Sequence, residues 1–266
     1  LEVATVLAKD LIPIPDLEAA REVLCIQPHP DDLEIGAGAT VAKLVKAGAH
    51  VTYVTVTDGG LGSIDLTTTR AKVAAIRRGE QERAAAGLGV TDLIWLGYPD
   101  AGAFPPMELR EHLMDLIREH RPQAVLLPDP WLPYEAHPDH RAVGLVAAEA
   151  ILFAGFPTEE SRGPRTKGHD VGTVAFYFTA KPNTFVDVDQ TWDQKLAAIK
   201  THESQFNENT LAMFSLYFDV KARENAEAAR KKATELGGPA PTMEKAEAFK
   251  VLTPIHLHVN VDAEIS

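Results

Sequence analysis

The chain reads as an α/β protein, a mostly parallel sheet with helices on both faces. Two observations predict this. Short runs of β-branched and apolar residues alternate with segments of helical apolar spacing through the first half, with short connections between them. Each strand-like run is followed by a polar cluster: His29–Asp32, Asp58–Gly60, Tyr98–Asp100 and Asp129–His140. In parallel sheets ligands bind beyond the carboxyl ends of the strands, so the four clusters are expected on one rim.

EVLCIQ, residues 22–27, is an almost unbroken apolar run and predicts a buried first strand. Residues 38–47 have helical spacing, and VTYVTVT at 51–57 predicts the second strand. A long helix with charges on one face follows at 72–88. Short strands at 92–96 and 124–127 flank a helix near 107–119, and another helix covers about 140–153. Residues 159–170, rich in Gly, Pro and charge, predict a loop. Strands are expected at 173–178 and 184–188, and a helix at 192–205. KARENAEAARKKATEL at 221–236 is a strong helix former with a solvated face. Residues 249–261 alternate and predict a last strand, with His256 and His258 on one of its faces. From there they could reach a neighbouring subunit. No internal repeat or domain boundary is visible, so one domain is expected.

Composition narrows the function. The 266 residues are 45% hydrophobic and 24% charged, enough for a sizeable core. A formal charge of −12 disfavours nucleic acid and anionic membrane as partners and suits a neutral or cationic small molecule. The single cysteine, Cys25, lies in the first strand, which leaves no disulfide framework and no cysteine-based zinc site. There is no long apolar run and no signal-like start, so a cytoplasmic protein is expected.

The stretch PHPDD places His29, Asp31 and Asp32 after the first strand, and HPDH places His137 and His140 at the same three-residue spacing as His29 and Asp32. Taken singly, each has a simpler reading. Asp31 or Asp32 could N-cap a helix, and the histidines could open one at the surface. Two His-Pro-Asp turns, each just after a predicted parallel strand, are hard to explain by capping twice. His29, Asp32 and one histidine of HPDH make a His2Asp set that leaves a zinc-type ion an open position for water. Asp31, beside a ligand but aimed elsewhere, could take that water's proton. The spacing leaves open which histidine is the ligand.

PHPDD followed by Glu34, Gly36 and Gly38, with the distal HPDH, resembles the PIG-L/LmbE-like family of zinc-dependent N-deacetylases. VTVTDGGLGS, IRRGEQERAAAGLGV, LGYPDAG and KLAAIKTHESQF follow in the family's order, and PDPWLPYEAHPDH is particularly similar to the diacetylchitobiose deacetylases. The resemblance implies a single Rossmann-like domain over 1–266, with the motifs in about 21–206 and a C-terminal helix and strand at about 220–261. It implies one zinc ion per subunit held by His29, Asp32 and His140, with Asp31 as general base. His137, protonated, would stabilise the oxyanion, and Arg77 and Asp100 would bind sugar hydroxyls. N-acetylglucosamine or its β-1,4 dimer is the implied substrate. An inositol- or malate-linked N-acetylglucosamine, an antibiotic intermediate, and a non-catalytic carbohydrate-binding relative are the alternatives. A homo-oligomer, with a hexamer as the subgroup's form, is implied as well.

Some members carry a tyrosine two residues before the first histidine of HPDH. Here Tyr134 lies three before His137, which separates it from that role. Trp131 and Tyr134 could stack on a sugar face or simply anchor their loop. His202 and Gln205, three apart, could orient site residues or pack the helix. Gly59, Gly60 and Gly62 match no phosphate-binding fingerprint and predict a tight turn.

Overall fold

The computed structural model describes residues 11–101, 104–159, 161–162, 167–259 and 263. After a 3-10 turn at Leu17–Ala19, the chain forms β1 (Glu22–Gln27), α1 (Asp32–Lys46), β2 (His50–Thr57), α2 (Arg70–Leu88) and β3 (Asp92–Tyr98). Next come α3 (Pro106–His120), β4 (Ala124–Pro128), α4 (Pro138–Ala154), β5 (Thr173–Tyr177) and β6 (Thr184–Asp187). The last elements are α5 (Trp192–Lys200), α6 (Glu208–Glu235), β7 (Ala246–Leu252) and α7 (Pro254–His258).

The seven strands lie in the order β3-β2-β1-β4-β5-β7-β6. β3 through β5 are parallel, and β7 runs antiparallel to both its neighbours. Alternate residues of each strand feed opposite cores. Val23 and Cys25 of β1 pack with α1, α2 and α5, while Leu24 and Ile26 pack with α3 and α4. The strand order reverses between β1 and β4. Both strands send their next connection away from the other, so a crevice opens between the loops that follow them. His29 to Asp32 leave β1 into this crevice, and Asp129 to His140 leave β4 into it. That topology alone brings the two His-Pro-Asp turns together.

Three expectations are corrected. The helix expected at 192–205 ends at Lys200, and His202 follows in a turn. The helix expected at 221–236 begins at Glu208, where Asn207 caps it by accepting from Thr210 N at 3.0 Å. The strand expected at 249–261 stops at Leu252 because Pro254 lacks a ladder donor and, with Thr253 as cap, starts α7. His256 and His258 therefore share no strand face. His256 is buried, its Nδ1 accepting from Thr253 N at 3.2 Å. Residues 260–262 of that expected strand, and residues 160 and 163–166 of the expected loop, lie outside the described residues.

Candidate metal and acid–base centre

Gln27, the last residue of β1, prepares the first turn. Its side chain donates to Thr55 Oγ1 at 2.9 Å and accepts from Leu33 N at 3.0 Å, which caps α1. Asp31 occupies the N-cap position but makes no side-chain cap bond. Its backbone is left-handed, with φ 101° and ψ −24°. With the helix end already satisfied by Gln27, the Asp31 carboxylate is free for another task.

Asp32 opens α1 and reaches both histidine clusters. Its Oδ2 lies 3.3 Å from His29 Nδ1 and its Oδ1 lies 3.2 Å from His140 Nε2. Oδ2 also accepts from His29 N at 2.9 Å, which folds the turn over the carboxylate. His140 sits in the first turn of α4, after His137 at the N-cap, whose Nδ1 accepts from Asp139 N at 3.3 Å. One donor atom each from His29, Asp32 and His140 lies within 4.8 Å of the others.

These residues fit a metal. A carboxylate wedged between two imidazole nitrogens must have a proton on each of them, or a cation in their place. On its far side the His29 ring meets Asp139, Nε2 lying 2.9 Å from Oδ2. That bond keeps a proton on Nε2, so a metal that displaced the proton between Nδ1 and Asp32 would meet the Nδ1 lone pair. An N,O,N set, with Asp32 and His140 in the first turns of two helices and His29 in the turn after β1, suits a zinc-type divalent ion.

Electrostatics separate the groups. Burial pushes Asp31 up to about 7, more than the adjacent Arg77 can offset. Burial also opposes ionisation of Asp32, but His140 and His29 outweigh it and hold this carboxyl well below the usual carboxylate range. His29 is raised to about 11, because Asp100, Asp139 and Asp32 together overcome the burial that opposes its cation. His140 is raised by Asp32 against the same opposition. His137 goes the other way: burial, then the neighbouring His29 and His140, lower it. That direction favours the uncharged ring at rest, whereas the sequence reading has His137 protonated. With Nδ1 accepting, that neutral ring carries its proton on Nε2.

Arg77 and Asp100 are buried and hydrogen-bonded within the protein, although Arg77 Nε has no partner. Arg77 donates to Pro30 O at 2.5 Å and Gly59 O at 3.1 Å, and lies 3.3 Å from Asp31 Oδ2. Asp100 faces His29 Nε2 through Oδ1 at 3.3 Å and accepts from Leu61 N through Oδ2 at 3.0 Å. The sugar-hydroxyl contacts implied by resemblance would have to use the donors and lone pairs that these bonds leave over, Arg77 Nε among them. Trp131 and Tyr134 are exposed on the loop after β4, Trp131 edge-on to Phe176. His140 and Glu135 line one end of a cavity of about 740 Å3 that continues past Phe178 toward α6. Its size falls in the ~300–1,000 Å3 range of small-molecule sites.

Sequence reasoning passed over two residues here. Asp139 was visible within HPDH, but nothing in the spacing shows that it backs His29. Gln81 accepts from Asp31 N at 2.8 Å. Its position four residues after Arg77 puts it on the same helix face, but nothing in that spacing shows that it meets the Asp31 amide.

Fold and site together define an α/β protein with a metal-type centre at the switch point of its sheet. Residues 24–151 match the family described as PIG-L: GlcNAc-PI de-N-acetylase. The diacetylchitobiose deacetylase of Thermococcus kodakarensis is 42% identical over 200 residues, 74% of each chain. A 1D-myo-inositol 2-acetamido-2-deoxy-alpha-D-glucopyranoside deacetylase of a Nocardioides species is 37% identical over 52% of this chain and 56% of its own. Among solved structures, the N,N′-diacetylchitobiose deacetylase of Pyrococcus horikoshii, complexed with its inhibitor MPG, superposes with a TM-score of 0.81. It is 35% identical, over 94% of this chain and 90% of that one. The chain belongs to the PIG-L family.

Proposed function

We propose that this protein is a zinc-dependent hydrolase that removes the N-acetyl group from N-acetylglucosamine-containing sugars. N,N′-diacetylchitobiose is the favoured substrate, N-acetylglucosamine the next, and the products are acetate and an amino sugar. The observation that carries this reading is Asp31, a carboxylate freed from helix capping and raised to about 7 beside a His-Asp-His donor set. The names of the similar deacetylases support the substrate class.

His29, Asp32 and His140 would hold the ion. Bound there, zinc supplies a Lewis acid for the acetamide carbonyl and makes water acidic enough to attack near neutral pH. Asp31 accepts the proton of the attacking water, and a carboxyl near 7 is well matched to taking a proton and giving it back. It then passes that proton to the leaving amine. His137 donates Nε2–H to the developing oxyanion, a role that needs no charge on the ring at rest. Asp139 holds His29 in its ligand tautomer. Trp131 and Tyr134 offer aromatic faces to the sugar. Arg77 and Asp100 act on the substrate through the loops they hold.

A homo-oligomer is part of this proposal, and a cytoplasmic setting goes with it. Met213, Leu216, Tyr217 and Val220 leave an apolar face exposed on the first half of α6, which supports self-association. Among the described residues no helix is long and apolar enough to cross a membrane.

The experiment is amine release by the zinc-loaded protein from N,N′-diacetylchitobiose, N-acetylglucosamine and the inositol-linked N-acetylglucosamine in parallel. One amine released per chitobiose, faster than from the other two, is the expected result. Preference for the inositol-linked sugar would overturn the substrate. No release from any, with zinc bound, would favour a binding protein.

A further inference from the structure

A buried polar chain runs behind Asp31 that the proposed chemistry does not use. Asp31 N donates to Gln81 Oε1 at 2.8 Å, and Gln81 Nε2 donates to Glu34 Oε1 at 2.9 Å. Glu34 Oε2 lies 3.5 Å from His202 Nε2. Gln81, Glu34 and His202 are all fully buried. They come from α2, α1 and the turn after α5, three segments that meet only in the folded chain.

Hydrogen-bond chemistry fixes the direction of this chain. A glutamine amide has one acceptor atom and one donor atom. Its acceptor is taken by Asp31 N–H, so its donor must face an acceptor, and the Glu34 carboxylate supplies one. Gln81 is thereby held from both ends and cannot flip.

Asp31 needs such support. A non-glycine residue at φ 101° is strained and persists only where its surroundings over-determine it. Arg77 holds the Pro30 carbonyl and faces the Asp31 carboxylate. Ile35 N donates to the Asp31 carbonyl at 3.0 Å. The remaining handle is the Asp31 amide, and Gln81 holds it. Losing that bond would let the peptide relax toward an ordinary N-cap, swinging the carboxylate back onto the helix end.

We propose that Gln81, backed by Glu34 and His202, is the positioning residue that keeps Asp31 in the backbone conformation from which its carboxylate works. The proposal rests on the reading of Asp31 as the general base. It differs from a packing role, because packing would be satisfied by any side chain of the same shape.

The test uses zinc-loaded full chain, N,N′-diacetylchitobiose, and two variants. Gln81→Met keeps the shape and removes both hydrogen bonds. Glu34→Gln/Gln81→Glu exchanges amide and carboxylate, so the polar atoms keep their partners and the net charge is unchanged. Hydrogen exchange at the Asp31 amide is read alongside kcat, KM and zinc content. In Gln81→Met the Asp31 amide loses protection and kcat falls about 100-fold, the scale of a misplaced reacting group. KM and zinc content stay at wild-type values, and the exchanged pair restores both protection and most of kcat. The proposal is overturned if Gln81→Met keeps kcat within about twofold, since a 1 Å displacement costs far more. It is also overturned if kcat falls only in proportion to lost zinc. If Gln81→Met does not fold, the exchanged pair decides: an unprotected Asp31 amide in folded, zinc-loaded protein contradicts the proposal, and a protected amide with near-wild-type kcat upholds it. A wild-type protein that releases no amine would instead overturn the deacetylase reading, and amide exchange would still report on the Gln81 bond.

Discussion

Asp31 and Asp32 are neighbours in sequence with opposite acid strengths. Burial lifts Asp31 to about 7, whereas His140 and His29 hold Asp32 far below the usual range despite its burial. Adjacent carboxyls pushed apart in this way suit different tasks, one exchanging protons and the other staying ionised as a ligand. A dication on Asp32 would pull Asp31 down from about 7, since positive charge favours the carboxylate. The acidic limb of kcat/KM is therefore expected at or below pH 7, with activity rising as Asp31 deprotonates; a limb well above 7 would contradict the assignment. His29 gives a second pH prediction. Without metal its cation is favoured in the folded state, with a pKa of about 11. The stability it contributes is fully present below its ordinary pKa and lost as pH rises toward 11. Metal must displace that proton, so affinity should rise with pH, about tenfold per unit for each proton released. Calorimetry in buffers of different ionisation enthalpy measures the number released. Asp139→Ala, which frees the far side of His29, should weaken zinc by about 10–100-fold. His137→Ala should lower kcat more than it raises KM, because an oxyanion contact strengthens in the transition state.

At the scale of elements, α1 carries Asp32 and is clamped from outside the His-Pro-Asp motifs. Glu247 of β7 accepts from Ala39 N at 3.1 Å and Thr40 N at 2.7 Å, and pairs with Lys195 of α5 at 2.5 Å. Lys195 also donates to Ile35 O at 2.6 Å, and both side chains are buried. Lys195→Met leaves Glu247 charged and unpaired, which should cost about 3–5 kcal/mol in denaturant unfolding. Gly36 lets α1 pass over Tyr177: a Cβ there would sit 2.5 Å from Tyr177 Cδ2. Gly36→Ala should cost roughly 1–3 kcal/mol through overpacking. Most of these elements were legible from the sequence. β1 falls at 22–27 as expected, and the other strands of the first half differ only at their ends. Their apolar runs are bounded by turn residues, which is a local signal. The end of the chain was not legible, because the alternation at 249–261 resembled a strand while Thr253 and Pro254 imposed a helix start. In the centre, the turns bearing His29, Asp31, Asp32, His137 and His140 could be read from residue type and spacing. Gln27 as the cap of α1, and Gln81 as the partner of the Asp31 amide, could not. The first is a local bond six residues apart and the second joins two distant helices, and both are made by a residue type that is ordinary in any helix or strand.

On the scale of the whole molecule, the sheet order decides where chemistry is possible. The reversal between β1 and β4 gathers the loops after both strands, and those loops hold both histidine clusters. The whole chain carries a formal net charge of −12, which favours neutral sugars over anionic ones. The apolar first half of α6 predicts a particle larger than one 28.9 kDa chain in light scattering; a monomer at micromolar concentration would contradict self-association. The central claim is that Asp31 works as a base beside a metal it does not bind. Its most direct test is turnover of N,N′-diacetylchitobiose by Asp31→Asn, with zinc content measured on the same sample. Loss of activity by about 100-fold or more, the usual scale for a removed general base, is predicted with one zinc per chain retained. Near-wild-type turnover, or loss of the zinc itself, would contradict it.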